Sequence, residues 1–384
     1  MQGLSARQDG YRPLAFLLAG LVSLGTYAAV TRTSDGSVSP TQMAARRAAM
    51  DRVEAGQAAV RAERRQLGLP VTRGDRLRTG LIGLESSDIT TEVGSLRSKR
   101  TSTDPRFAAA VVDMLSRAGV RPGDVVAIGM SASFPALNLD TVVAAEVLHA
   151  QPVIVSSVGS SQWGANEPRL TWLAMERALA DAGVIHHRSG AVDAGGPEVG
   201  AGRADPAAKL RESVAKSVGV PVIPALTLDD EVAYRVAFYD RVAARLGAPI
   251  RTFVNVGGAA ADVGPGGAGE ELIAPGLSRP RLGPFETAKS GVLGAMAARG
   301  IPVVNLVDVS TLADRYDIPW DPAERPEHPE PPGPPPSPLA AGIALVALAL
   351  AVVAAHRAGF FRVPAWDLPP ELRHRPGRAP AGAL

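Results

Sequence analysis

The sequence predicts an α/β domain, a mostly parallel open sheet with helices on both faces, flanked by two transmembrane helices. Three observations carry the prediction. Two β-branched runs, 124–128 and 151–155, bracket a stretch whose Val142, Val143, Val147 and Leu148 fall on one side of a helix, which makes a βαβ unit. Further strand-like runs at 251–256 and 301–307 again follow helical patterns, and such alternation builds parallel sheets covered on both faces. Uncharged apolar runs at 14–30 and 339–355, each roughly 17 residues, approach the length of a membrane span.

The chain reads in order as follows. Residues 1–13 carry Arg7 and Arg12 and precede a predicted span over 14–31. A cleaved signal peptide is the competing reading, although residues 27–31 make a poor cleavage site. Residues 32–67 place Met43, Met50, Val53, Val60 and Leu67 near heptad spacing among many Arg and Glu. This is expected to be a solvated stalk helix; Gln57 and Arg64 interrupt the seam that a coiled coil needs. The α/β domain is assigned to 68–312. It opens with a candidate strand at 81–84, and Asp104-Pro105 starts a helix through Ala118. After the βαβ unit come a helix over 169–182, a Gly-rich polar segment over 189–202, and helices over 206–218 and 228–246. Residues 259–284 read as one long loop, and 287–299 as the helix before the last strand.

Residues 313–338 are an acidic, Pro-rich spacer, and 356–384 a tail rich in Arg. Basic residues favour the cytoplasmic side of a span. Both termini are therefore placed inside and the α/β domain outside, with the lipid bilayer as a partner. Arg46, Arg47 and Arg52 run against that assignment, but the C-terminal asymmetry is stronger.

Composition removes several function classes. A net charge of +2 over 384 residues gives no case for nucleic acid. The chain has no cysteine, which excludes disulfides, thiolate metal sites and a Cys nucleophile. None of the four lysines follows a glycine, so no phosphate loop exists, and neither a Rossmann glycine pattern nor His-Glu-x-x-His occurs. No cofactor and no metal are expected.

Chemistry is expected at the carboxyl ends of the first two strands, where open α/β sheets bind ligands. Both end in loops rich in Ser and Gly, 129–133 and 156–161. Asn255, Gly257 and Gly258 would lie at the same edge, and Thr90, Thr91 and Lys99 would join from an earlier loop. Backbone N–H groups and hydroxyls in such loops are suited to a carboxylate or phosphate. The candidate ligand-binding residues are therefore Thr90, Thr91, Lys99, Ser131, Ser133, Ser157, Gly159, Ser160, Ser161, Asn166, Asn255, Gly257 and Gly258. Ordinary turn and capping chemistry accounts for the same residues without a ligand. A Ser hydrolase using Ser131 or Ser133 is the alternative, but residues 129–133 lack the closing Gly of the nucleophile elbow. Of the nearby histidines, His149 belongs at the opposite end of the sheet, and the adjacent His186 and His187 make a poor metal pair. Asp229, Asp230 and Glu231 read as an acidic first helical turn.

These loops also carry a resemblance. The stretches Ser87-Asp88-Ile89-Thr90-Thr91-x-x-Gly94-x-Leu96-x-x-Lys99-Arg100-Thr101-Ser102 and Gly129-Met130-Ser131-Ala132-Ser133-Phe134-Pro135-Ala136-Leu137-Asn138 are two parts of it. Ser157-x-Gly159-Ser160-Ser161-x-Trp163-Gly164-Ala165-Asn166 and Asn255-Val256-Gly257-Gly258 are the others. In these the chain resembles the poly-γ-glutamate system proteins, membrane proteins linked to bacterial synthesis and export of the γ-linked glutamate polymer. The resemblance implies a pathway rather than a reaction, and it brings no catalytic residues with it. It implies as partners the synthase and export membrane subunits and the anionic polymer. Three roles follow: an accessory component that binds polymer or partner subunits, a Ser-dependent envelope hydrolase or transferase, or a non-catalytic scaffold.

Overall fold

The computed structural model describes residues 38–195, 206–217, 219–224, 227–324 and 329–333 in one unit. In a second unit it describes residues 25, 342, 345–350 and 352–353, which are helical. The predicted spans and the basic tail fall largely or wholly outside these residues. Among the described residues no helix is long and apolar enough to cross a membrane.

The first helix, α1 (Pro40–Gln66), starts where Ser39 and Gln42 form a capping box and Pro40 occupies the first turn. It is not a solvated stalk, and the folded unit begins near residue 38 rather than 68. Ala49, Met50, Val53 and Val60 are buried. A Cβ on Gly56 would sit 2.8 Å from Leu139 Cδ2, so the helix lies as close as glycine permits. Gln57 and Arg64, the two residues expected to interrupt its seam, are buried too. Gln57 donates to Thr103 O at 2.8 Å, and Arg46 of the same helix, also buried, pairs with Asp113 at 2.5 Å.

The predicted strand at 81–84 is absent. Its backbone is taken up by a loop, with Gly83 N donating to Trp163 O and Leu84 N to Asn166 Oδ1. A short strand follows instead, β1 (Thr90–Glu92), then α2 (Leu96–Thr101), capped by Ser95, and α3 (Arg106–Ala118). The predicted βαβ unit is present as β2 (Val125–Ser131), α4 (Pro135–Val147) and β3 (Gln151–Ser157). Three two-residue strands come next, β4 (Ser160–Ser161), β5 (Asn166–Glu167) and β6 (Leu170–Thr171), of which β4 pairs with β1 outside the main sheet. They lead into α5 (Trp172–Asp181). The Gly-rich segment contains a three-residue strand, β7 (Ala191–Asp193), followed by α6 (Pro206–Ser217), α7 (Leu228–Leu246) and β8 (Ile250–Val256).

The expected long loop holds α8 (Ala260–Val263), α9 (Ala268–Leu272) and β9 (Gly276–Ser278). The single helix expected next is two, α10 (Pro284–Lys289) and α11 (Gly291–Ala298), because Ser290 leaves the helical region. β10 (Val303–Leu306) and α12 (Val309–Arg315) complete the unit. The start of the acidic spacer belongs to the fold: Tyr316 and Ile318 are buried, Tyr316 OH donates to Asp113, and Arg47 pairs with Glu330.

The main sheet runs β7-β3-β2-β8-β10-β9, parallel throughout except for β9 at one edge. Residues of β2 alternate between two cores, which explains its unbroken apolar run. Val126, Ile128 and Met130 face α1, α3, α4 and α5, while Val125 and Ala127 face Phe238 and Tyr239 of α7 and Val292, Leu293 and Met296 of α11. The chain leaves β2 outward to β3 and β7, then returns to β8 on the other side. The strand order therefore reverses between β2 and β8, the switch point where such sheets bind ligands.

One buried acid gives this fold a pH signature. Glu176 of α5 is 2 % exposed and accepts from Ser189 N at 2.9 Å and Ser189 Oγ at 2.8 Å. Burial pushes its carboxyl up to about 7, even though the Ser189 hydrogen bonds and Arg188 pull the other way. A folded-state pKa above the unfolded value gives stability that is complete below the unfolded pKa and is lost as pH rises through the folded one. Glu176→Gln keeps the acceptor and removes the ionisation. It is expected to match the parent in thermal denaturation near pH 4 and exceed it by about 3 kcal/mol near pH 8.

Candidate functional site

At the switch-point edge the strand register sets Ser131 beside Ser157 and Met130 beside Val256. Beyond Ser131 the chain turns over its own hydroxyls. Ser131 Oγ donates to Ser133 Oγ at 2.9 Å and accepts from Ser133 N at 3.1 Å, while Asn138 Nδ2 donates to Ser131 O. The loop after β3 then folds onto this turn. Ser161 N donates to Ser133 Oγ at 3.0 Å, and Ser160 Oγ donates to Ala132 O at 3.1 Å. The pairing of β1 with β4 brings α2 over the same place.

α2 supplies Lys99, the cation at the centre of the site. Its Nζ donates to Ser161 Oγ at 2.9 Å and to Ser133 O at 2.5 Å, and lies 3.3 Å from the centroid of the Phe134 ring. Only 2 % of Lys99 is exposed. Burial holds its ammonium well below the usual lysine range, with Glu92 opposing the shift. Among the described residues no carboxylate forms an ion pair with it. Two chemistries follow from this arrangement. As an ammonium, Lys99 is a fixed cation looking for an anion; as an amine, it is a base hydrogen-bonded to a serine.

The other candidates divide. Lys99, Ser131, Ser133, Ser160 and Ser161 form one connected group. Gly257 packs against it, since a Cβ there would lie 2.9 Å from Ser131 Cβ. The backbone N–H groups expected to cradle an anion are engaged within the fold: Val158 N donates to Asp193 O, Gly159 N to Ala194 O and Ser160 N to Ile89 O. Asn166 is a clamp, with its amide bonded to Leu84 N, Leu84 O and Thr90 Oγ1. That uses Thr90 as well, while Thr91 sits half-buried in β1. Asn255 reaches Gly257 O and its register partner Asn305, tying β8 to β10. Gly258 is exposed beside Glu270.

Ser157 belongs to a different cluster, one that sequence reasoning missed. Ser157 Oγ donates to Asp193 Oδ2 at 3.0 Å, and Arg235 joins Asp193, Asp262 and Glu231 at 2.5, 2.8 and 3.0 Å. The sequence signal was confined to the spacing of Glu231 and Arg235 on one helix face; both aspartates come from distant elements.

Among the described residues no imidazole reaches the serines. His149 O accepts from Gly123 N before β2 begins, at the amino end of the sheet. Glu146, near the end of α4, takes His186 N, His187 N and His187 Nδ1. Among the described residues no three His, Asp or Glu side chains gather as a metal site. Comparison of the chain with protein-family models, curated proteins and solved structures finds no match.

Proposed function

We propose that the chain is a membrane-anchored accessory component of a system that makes and exports γ-linked glutamate polymer, and that its α/β domain binds polymer carboxylates at Lys99. The observation that carries the binding site is a fully buried lysine at the carboxyl edge of the sheet, bonded to the Ser161 hydroxyl and the Ser133 carbonyl, with no carboxylate ion-paired to it among the described residues. A buried charge without a counter-charge is unfavourable, and an arriving carboxylate removes that penalty. Entry runs past Ser133 and Phe134, both half-buried, with the carboxylate taking the place of the aromatic face. The pathway and the export role rest on the sequence resemblance, and the anchoring on the two apolar runs. The missing phosphate-loop motif argues against an ATP-dependent ligase.

The test uses the full-length protein in detergent micelles, titrated calorimetrically with short γ-glutamyl oligomers. Binding to the parent and a loss of about tenfold or more in Lys99→Met is the expected result, roughly 1.4 kcal/mol. Equal affinity in the variant would remove Lys99 from the site.

A second reading has its own observation, the 2.9 Å bond between Lys99 Nζ and Ser161 Oγ. It moves the hydrolase alternative from Ser131 or Ser133 to Ser161, because the base is there. Ser161 Oγ would attack the amide carbon of a γ-glutamyl link as its proton passes to the Lys99 amine. The C–N bond breaks, the departing nitrogen takes that proton, and water cleaves the resulting ester. Mass spectrometry of the same titration decides between the readings. Shortened oligomers, lost in Ser161→Ala, would establish the hydrolase; neither binding nor cleavage would leave the scaffold.

A further inference from the structure

The last turns of α1 carry Arg61, Arg64 and Arg65. With Arg78 these side chains line a cleft of about 570 Å³ whose other wall is Leu69, Val71 and Leu77. That size lies in the range of small-molecule sites, about 300–1,000 Å³. None of these residues takes part in the Lys99 group.

Arg64 is the unusual member. It is 3 % exposed, yet neither its Nε nor its Nη1 has a hydrogen-bond partner. Burial lowers its pKa, with Asp75 and Glu167 opposing the shift. Those two acids are occupied elsewhere. The Asp75 carboxylate accepts from Thr79 N, Thr79 Oγ1 and Gly80 N at 2.8, 3.0 and 2.6 Å, and Glu167 pairs with Arg169. The same Asp75 bonds pin the turn that carries Arg78, whose backbone is held at φ +53. The rim of the cleft is therefore set in advance, and Nε and Nη1 of Arg64 inside it lack an acceptor.

We propose that this cleft binds a small organic oxyanion, its phosphate or carboxylate on Arg64 and its apolar body against Leu69, Val71 and Leu77. A guanidinium left unpaired in the folded protein is suited to such a group, because the oxyanion supplies both the counter-charge and the missing acceptors. The competing explanation is that Arg64 and Arg65 only offset the negative end of the α1 dipole. The two differ in sign. A dipole partner stabilises the free protein, whereas a cation waiting for a ligand destabilises it.

The test uses full-length protein with phenyl phosphate, benzoate and benzyl alcohol as probes, followed by calorimetry and thermal shift. Saturable binding of phenyl phosphate, weaker binding of benzoate and none of the neutral alcohol are expected. Arg64→Met should lose at least tenfold in phenyl phosphate affinity while raising the melting temperature of the free protein. Displacement of phenyl phosphate by phosphatidylglycerol vesicles would assign the ligand to lipid headgroups, and failure to displace it to soluble anions. Unchanged affinity in Arg64→Met, or no saturable binding to the parent, overturns the proposal. If Arg64→Met does not fold, Val71→Trp decides: it fills the cleft from an exposed wall position, and retained binding there overturns the proposal as well.

Discussion

Replacing Arg235 with Leu is expected to destabilise the domain by about 3–5 kcal/mol at neutral pH, the usual result of removing one side of a buried ion pair. The side chain is 1 % exposed and reaches three carboxylates, from Asp193, Asp262 and Glu231. Burial alone would lower its pKa, but these acids together hold it well above the ordinary value. The cluster joins the ends of three neighbouring strands. Asp193 closes β7, Ser157 closes β3, and Asp262 lies against β2 at Gly129, where any Cβ would collide with the carboxylate. Gly129 thus answers to a buried acid and not to a nucleophile elbow.

The pH dependence of the Arg235 loss identifies its cause. Burial already raises the carboxyls of Asp262 and Glu231 above their ordinary values, with Arg235 opposing. Without Arg235 both rise further. Groups with raised folded-state pKa values carry no penalty below the unfolded pKa and acquire one as pH rises through the folded value. The deficit of Arg235→Leu measured by urea denaturation should therefore be largest near pH 8 and shrink toward pH 4. An equal deficit at both ends would make the loss one of packing rather than charge.

The parts of the molecule legible in the sequence are those with local signals. β2, α4 and β3 announce themselves by periodicity, and the β2 and β3 loops were placed at the right edge because parallel topology dictates it. Partner identity was not legible. Lys99 and Ser161, or Arg235 and Asp262, meet only after crossovers that no spacing encodes. Asn166 and Asn255 had the look of ligand residues because buried amides that tie loops and strands use the same chemistry as amides that hold ligands. The edge strands β7 and β9 have three residues each, too few for a period of two to register. α1 was misassigned for a subtler reason. Gln57 and Arg64 interrupt the apolar seam and the many Arg and Glu around it suggest solvent, whereas the fold buries Gln57, Arg64 and also Arg46.

That reassignment has a direct consequence for Val60, which is fully buried in α1. On a solvated stalk Val60→Asp would change stability little, since surface substitutions usually stay within about 0.5 kcal/mol. In the observed packing it drives a carboxylate into the layer formed with α3, α4 and α5, where the surrounding core offers Val111, Leu139 and Leu179. The expected loss is about 3–5 kcal/mol, from the missing apolar contact and an uncompensated buried charge. Met43→Asp is the control, at a position 40 % exposed on the same helix, and should fall within about 0.5 kcal/mol of the parent. Urea midpoints for the two variants, at unchanged slope, measure the contrast. Equal and small effects would return α1 to the role of a spacer. A large loss confined to Val60→Asp would mean that residues 40–66 are a packed layer of the α/β domain and not a spacer.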